Sequence, residues 1–382
     1  MSSGTENFKI ALVHDWLLNI GGAEKALKTL HEIFPSAPVY TLFYNKEFTD
    51  KFIPNADIRP SFLQKTYQRI RTHKLLTPFL PTAVESIDLS EYDLVISSSV
   101  SFAKGLILKP KTRHICYCYS PMRQVWDWHV EYKKEPHKVP RLVTILMQHF
   151  LRIWDRLAST RVDEFVAISE NVRQRIKKYY GRDSIVIYPP VNQLPVVSDQ
   201  LSVGATENCK LKTENFFLIV SRLFKHKNID IAVEAFNKLE WPLVVIGDGP
   251  ELRRLKKRAG PNIKFLGYQT DEAVRDYYAR CLAFIMPQEE DFGITPIEAM
   301  SFGKPVLALK RGGALEYMQE GINGEFFEDP TEEVLADGAR RLKEGIEAGK
   351  YNPEIIKKTT ERFSAERFKT EFGRLALDMR EI

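Results

Sequence analysis

Seven residues separate Glu290 from Glu298 in the stretch EEDFGITPIEAM, residues 289–300. An ionised carboxylate only accepts hydrogen bonds, so each of these side chains suits a pair of neighbouring hydroxyls. Glu290 reads as a partner for the hydroxyls of a hexose, and Glu298 as a partner for the paired hydroxyls of a ribose. Gly293 lets the backbone approach a ligand. Pro296 stands in the first turn of a helix, whose unpaired amides at Ile294 and Thr295 can donate to a phosphate or a sugar hydroxyl. Taken alone, the cluster Glu289, Glu290 and Asp291 reads as a solvated acidic turn, so its meaning depends on the rest of the chain.

A second set of residues is basic. Arg222 and Lys227 lie five positions apart in IVSRLFKHKNID, where an apolar run ends and a helical pattern begins. A planar guanidinium and a mobile ammonium converging there suit a pyrophosphate. Lys225 and His226 are expected in solvent. Gly247 and Gly249 in VVIGDGPEL follow another apolar run and would bring backbone amides towards a nucleotide. Gly21 and Gly22 in VHDWLLNIGGAEKAL sit between an apolar run and a helix, where they would admit an anion or simply make a turn. The glycine spacing is not the dinucleotide fingerprint G-x-G-x-x-G, which argues against a nicotinamide enzyme.

These residues need elements to hold them at the ends of strands. FKIALVHDW, YDLVISSS, RHICYCYS, EFVAISE and SIVIYPPV read as buried strands of the first half. FFLIVSRL, PLVVIGDG, NIKFLG, LAFIMP, PVLAL and GEFFED do so in the second, with helical patterns between them. Continuous apolar strands alternating with helices predict parallel sheets covered on both faces, an α/β chain of two Rossmann-like domains. Residues 191–213 are polar and aperiodic and read as a linker between domains at 1–190 and 214–362. Residues 363–382 read as a helix that crosses back to the first domain. Ligands of such sheets bind outside the carboxyl ends of the strands, so the expected site is the cleft between the two domains.

Composition sets the outer bounds. The chain has 382 residues, 44% hydrophobic and 27% charged, with four cysteines, which suits two globular domains with reduced thiols. No apolar run approaches the roughly 20 residues of a membrane span, and no signal-peptide pattern opens the chain, so a cytoplasmic protein is expected. Residues 1–200 carry 27 basic against 20 acidic residues, and the remainder 28 against 30. The excess concentrates between Lys104 and Arg161, with twelve basic and four acidic residues. That asymmetry suits an anionic membrane surface or a lipid pyrophosphate, ordinary solvation being the alternative. A nucleic-acid binder would share the basic half but leave the acidic loop facing phosphates. RLVTILMQHFLRIWDRL is expected as a core helix, with a lipid-facing helix as the alternative.

Together GGAEKAL, YSPMRQVWDW, FVAISENVRQRI, VIYPPV, SRLFKHKNID, IGDGPEL and EEDFGITPIEAM span nearly the whole chain. In that order they resemble the family 4 retaining glycosyltransferases of GT-B fold, in particular bacterial mannosyl- and glucosyltransferases that build surface polysaccharides. The resemblance implies a nucleotide-sugar-binding second domain and an acceptor-binding first domain. It maps the family's Glu-x7-Glu pair onto Glu290 and Glu298, its pyrophosphate-binding pair onto Arg222 and Lys227, and its glycine pair onto Gly21 and Gly22. Phe292 falls in the same donor segment. Tyr119 stands where many relatives carry a His, and its phenol is a candidate contact to the sugar or acceptor. Arg123, Trp126 and Trp128 are candidate acceptor contacts, with core packing as the competing reading for the tryptophans. No Asp-x-Asp pair occurs, so neither a metal nor a separate cofactor is expected. UDP-glucose is the favoured donor with GDP-mannose as the alternative, and the acceptor is a saccharide or a lipid-linked oligosaccharide. A non-enzymatic binder of anionic ligands or nucleic acid is the rival from another class.

Overall fold

A computed structural model describes residues 8–72, 74–130, 140–191 and 215–381. It divides into two compact units, one of residues 1–190 with 366–382 and one of 191–365. The expected linker lies outside the described residues except for Val191, as does Cys209. Cys116, Cys118 and Cys281 are buried free thiols.

Among the described residues the first unit holds seven strands: β1 (Ile10–His14), β2 (Val39–Thr41), β3 (Ile58–Pro60), β4 (Leu94–Ser99), β5 (Arg113–Cys118), β6 (Glu164–Ala167) and β7 (Ile185–Val186). They form one sheet in the order β3-β2-β1-β4-β5-β6-β7, and its pairings are parallel. All six residues of β4 are buried, as expected of a strand covered on both faces. Pro60 ends the edge strand β3, where a missing N–H costs no ladder bond. The sheet reverses direction between β1 and β4, its topological switch point. The five strands read from the sequence are β1 and β4 to β7; β2 and β3, three residues each, carry too short a pattern to be seen.

The second unit holds β8 (Phe217–Val220), β9 (Leu243–Ile246), β10 (Ile263–Gly267), β11 (Ala283–Met286), β12 (Val306–Leu309) and β13 (Gly324–Phe327). They form a parallel sheet in the order β10-β9-β8-β11-β12-β13, with its switch point between β8 and β11. All six match expected runs. The fold is therefore two Rossmann-like α/β units.

The chain re-enters the first unit after residue 365. There the helix Ala365–Glu381 buries Phe368 and Phe372 fully. Both rings meet Tyr117 of β5 edge-on, at 5.5 and 5.7 Å. Lys369 adds an ion pair to Glu32 at 3.1 Å, and Arg367 donates to the Tyr188 carbonyl at 2.8 Å.

Candidate active site

In the second unit the polar residues gather where the sheet reverses. Arg222 and Lys227 leave the end of β8, and Gln288 and Glu290 leave the end of β11. The Lys227 ammonium forms an ion pair with the Glu290 carboxylate, the two side chains being 10% and 23% exposed. The Gln288 amide donates to the same Glu290 oxygen at 2.9 Å. Asn228, in left-handed backbone at φ 51°, donates from its amide to the Pro287 carbonyl at 3.3 Å and ties the two loops together. Arg222 is exposed, its guanidinium over the Phe224 ring at 5.7 Å. The pair expected to divide between phosphate and sugar is thus one unit: Lys227 balances the charge that Glu290 brings and fixes its orientation.

Glu298 sits apart from that pair, on the helix Ile294–Ser301, and accepts from the buried Tyr278 phenol at 3.0 Å. Burial, then the Glu298 charge, holds that phenol well above its ordinary range, so it stays a neutral donor. Gly293 precedes the helix at φ 95°; a Cβ there would meet the Tyr317 hydroxyl at 2.7 Å. The segment at Ile294 and Thr295 is half-buried. Phe292 is turned inward, 2% exposed, and packs edge-on against Tyr317 and Phe363.

Gly247 and Gly249 have a different use from the one expected. Cβ atoms on them would fall 1.9 Å from the Ser221 carbonyl oxygen and 2.4 Å from that of Leu223. They let the loop after β9 run against the segment that carries Arg222, and the Gly249 amide is already donated to Asp248 at 2.7 Å. A further glycine pair, Gly312 and Gly313, packs against the Glu290 backbone. Gly313 donates its amide to the Glu290 carbonyl at 2.9 Å, and a Cβ on Gly312 would lie 2.4 Å from that oxygen. The sequence carries a signal for it, since VLALKRGGALEY repeats the order of apolar run, Gly-Gly-Ala and helix seen in WLLNIGGAEKAL. Gln288 gave none, because one buried amide looks like any polar loop residue.

The first unit also gathers polar groups at its switch point, but they bond to one another. His14 Nδ1 meets Ser98 Oγ at 3.0 Å, and Nε2 lies 3.8 Å from Glu24 Oε1. Ser98 Oγ meets the Tyr119 hydroxyl at 2.9 Å, which donates to the Ala23 carbonyl at 3.0 Å. Tyr119 is thus buried support for the turn after Gly21 and Gly22, and burial keeps its phenol protonated far above the ordinary value. A Cβ on Gly21 would meet Glu24 Oε2 at 2.7 Å, so the carboxylate nearest this helix N-terminus is the chain's own. Beside it, Asp15 accepts four backbone amides: Val100 at 2.5 Å, Ser101 at 3.0 Å, Phe102 at 2.5 Å and Ala103 at 2.9 Å.

Arg123 stacks on Trp128 at 3.7 Å. Trp126 donates to Asp155 at 2.8 Å, stacks on Tyr179 and lines a surface cavity of about 560 Å³ with Asp127, His129 and Arg152. Asp155 forms a fully buried ion pair with Lys104 at 2.5 Å and accepts from Tyr180 at 2.8 Å. Burial disfavours the Lys104 charge, but the Asp155 carboxylate and the neighbouring Cys118 and Cys116 sulfurs together outweigh it, and the ammonium is held above its usual range. Among the described residues no group of three or more His, Cys, Asp or Glu is placed to hold a metal ion.

Two family models match. That for glycosyltransferase family 4 covers residues 20–193, and that for glycosyl transferases group 1 covers residues 206–361. The Anabaena protein HepE, solved with UDP-glucose, superposes with a TM-score of 0.68 at 19% identity over 97% of this chain and 100% of its own. The fold is that of the GT-B glycosyltransferases. Among curated relatives, the Candida glabrata alpha-1,3/1,6-mannosyltransferase is 24% identical over 92% of this chain and 88% of its own length. The Escherichia coli O-antigen chain mannosyltransferase C is 26% identical over 64% of this chain and 66% of its own. The chain spans only 60% to 66% of the length of two curated relatives that it matches. It belongs to family 4 of the glycosyltransferases.

Proposed function

We propose that the protein is a retaining glycosyltransferase that moves a hexose from a nucleotide sugar to a saccharide acceptor in glycan or surface-polysaccharide assembly. The observation that carries this reading is the Lys227–Glu290 pair, held by Gln288 beside the start of the helix Ile294–Ser301 at the switch point of the second sheet. The donor diphosphate would take Arg222, Lys227 and the first amides of that helix. Their fixed positive field stabilises the departing phosphate without a metal. Glu290 would orient the hexose and Glu298 the ribose. The bond from the anomeric carbon to phosphate breaks as the acceptor oxygen bonds to that carbon on the same face, and the acceptor proton passes to the departing phosphate oxygen. Glu290 is not a nucleophile in this scheme, and Glu298 is tied to Tyr278 rather than poised opposite it.

Mannose ranks ahead of glucose as the sugar, because both curated relatives above are named mannosyltransferases. The acceptor, a saccharide or a lipid-linked oligosaccharide, is assigned to the first unit. The test is nucleotide release from GDP-mannose, UDP-glucose and related donors, with EDTA present, in wild type, Glu290→Ala and Arg222→Ala. Turnover of one donor with EDTA, lost in both variants, is the expected outcome. A chain that binds nucleotides yet transfers no sugar to any acceptor offered would favour a non-enzymatic binder.

A further inference from the structure

The helix Arg141–Ser159 has two distinct faces, a buried one of mixed character and an apolar one in solvent. One packs into the first unit through Leu151, Trp154 and Ala158. The other carries Leu142 at 66% exposure, Leu146 at 60%, Phe150 at 50%, Ile153 at 50% and Leu157 at 58%. At about 100° per residue these five share an arc of about 80°, and the stripe runs about 22 Å along the axis. Single exposed apolar side chains are ordinary, but a continuous stripe marks an interaction surface.

The edge of the stripe decides the partner. Arg141, His149 and Arg156 are exposed along one side of it and Arg152 is half-buried there. The helix has one acid, Asp155, and that is buried in the ion pair with Lys104. The solvent face is therefore apolar and cationic, with no acidic residue. We propose that this face lies flat on an anionic bilayer surface, the stripe in the acyl boundary and the arginines at the lipid phosphates. Among the described residues no helix is long and apolar enough to span a membrane, so contact here is interfacial. A second copy fits less well, because antiparallel pairing of the helix with itself would set Arg141 against Arg156 with no acid between them. The inference does not depend on which sugar is moved.

The test is co-sedimentation of the full chain with phosphatidylcholine vesicles, with and without about 30% phosphatidylglycerol, at low and high salt. Wild type should pellet with the anionic vesicles and release as salt rises. Leu146→Asp with Phe150→Asp should lower partitioning at least about tenfold while the melting temperature holds, since both residues are exposed. Leu377→Asp, on an exposed apolar residue of the last helix, should leave binding unchanged. Binding by the double variant equal to wild type would overturn the proposal. So would equal binding to neutral vesicles, or a wild-type dimer that the double variant dissolves while neither protein pellets.

Discussion

The two sheets place polar side chains at the same topological position and treat them in opposite ways. At the first switch point, His14, Ser98 and Tyr119 bond to one another, and Asp15 is filled by four amides. At the second, Lys227, Gln288 and Glu290 form a small cluster that is still partly open to solvent, and Arg222 is exposed. A saturated buried network specifies the shape of a loop, whereas an open one keeps donors and acceptors available to a ligand. The first switch point therefore reads as scaffold and the second as the place where chemistry is set up.

That contrast can be broken most sharply at the buried pair behind the first sheet. Lys104→Met should destabilise the protein by about 3–5 kcal/mol by leaving Asp155 unpaired, and the double variant with Asp155→Leu should recover much of it. Denaturant midpoints decide, and an unchanged single variant would mean the pair is not buried. In the second unit the effect should move from stability to rate. Lys227→Ala is expected to cost about a hundredfold in sugar transfer with little change in melting temperature, and a comparable fall in stability would erase the distinction.

A pH scan sharpens the scaffold side. Burial lowers the His114 pKa from 6.5 to about 3, so the unfolded chain takes up the proton first. Its contribution is complete above pH 6.5 and fades as pH falls from there towards 3. The loss is about 1.4 kcal/mol one unit below 6.5, and His114→Gln should flatten that part of the profile. Smallest is Tyr119→Phe, expected to cost about 1 kcal/mol of stability for its bonds to Ser98 and Ala23. Donor KM should stay near wild type in that variant; a large rise would place the phenol on the sugar after all.

Much of this is legible in the sequence itself. The strands of the second unit are short, largely apolar runs, most of them bounded by glycine or proline, and Lys227, Glu290 and Glu298 follow two of those runs and a helix start. What stayed hidden depends on long-range partners. Tyr119 reads as a sugar contact until Ser98 and Ala23 arrive from 21 and 96 residues away. Gly247 and Gly249 read as nucleotide amides until the Ser221 and Leu223 backbone is seen to pass beneath them. On the helix Arg141–Ser159, periodicity announces a helix, but with Leu151 and Trp154 on one arc and Leu146 and Phe150 on the other it does not say which arc meets the core.

The return of the chain to its first unit bears on how the molecule is made. Residues 191–365 are one uninterrupted segment, whereas the other unit is split by them. During synthesis the second unit has all its residues before the helix Ala365–Glu381 exists. The first must wait, with the surface under Tyr117 uncovered, until Phe368 and Phe372 emerge. The part of the chain that starts earliest is therefore the part that finishes last.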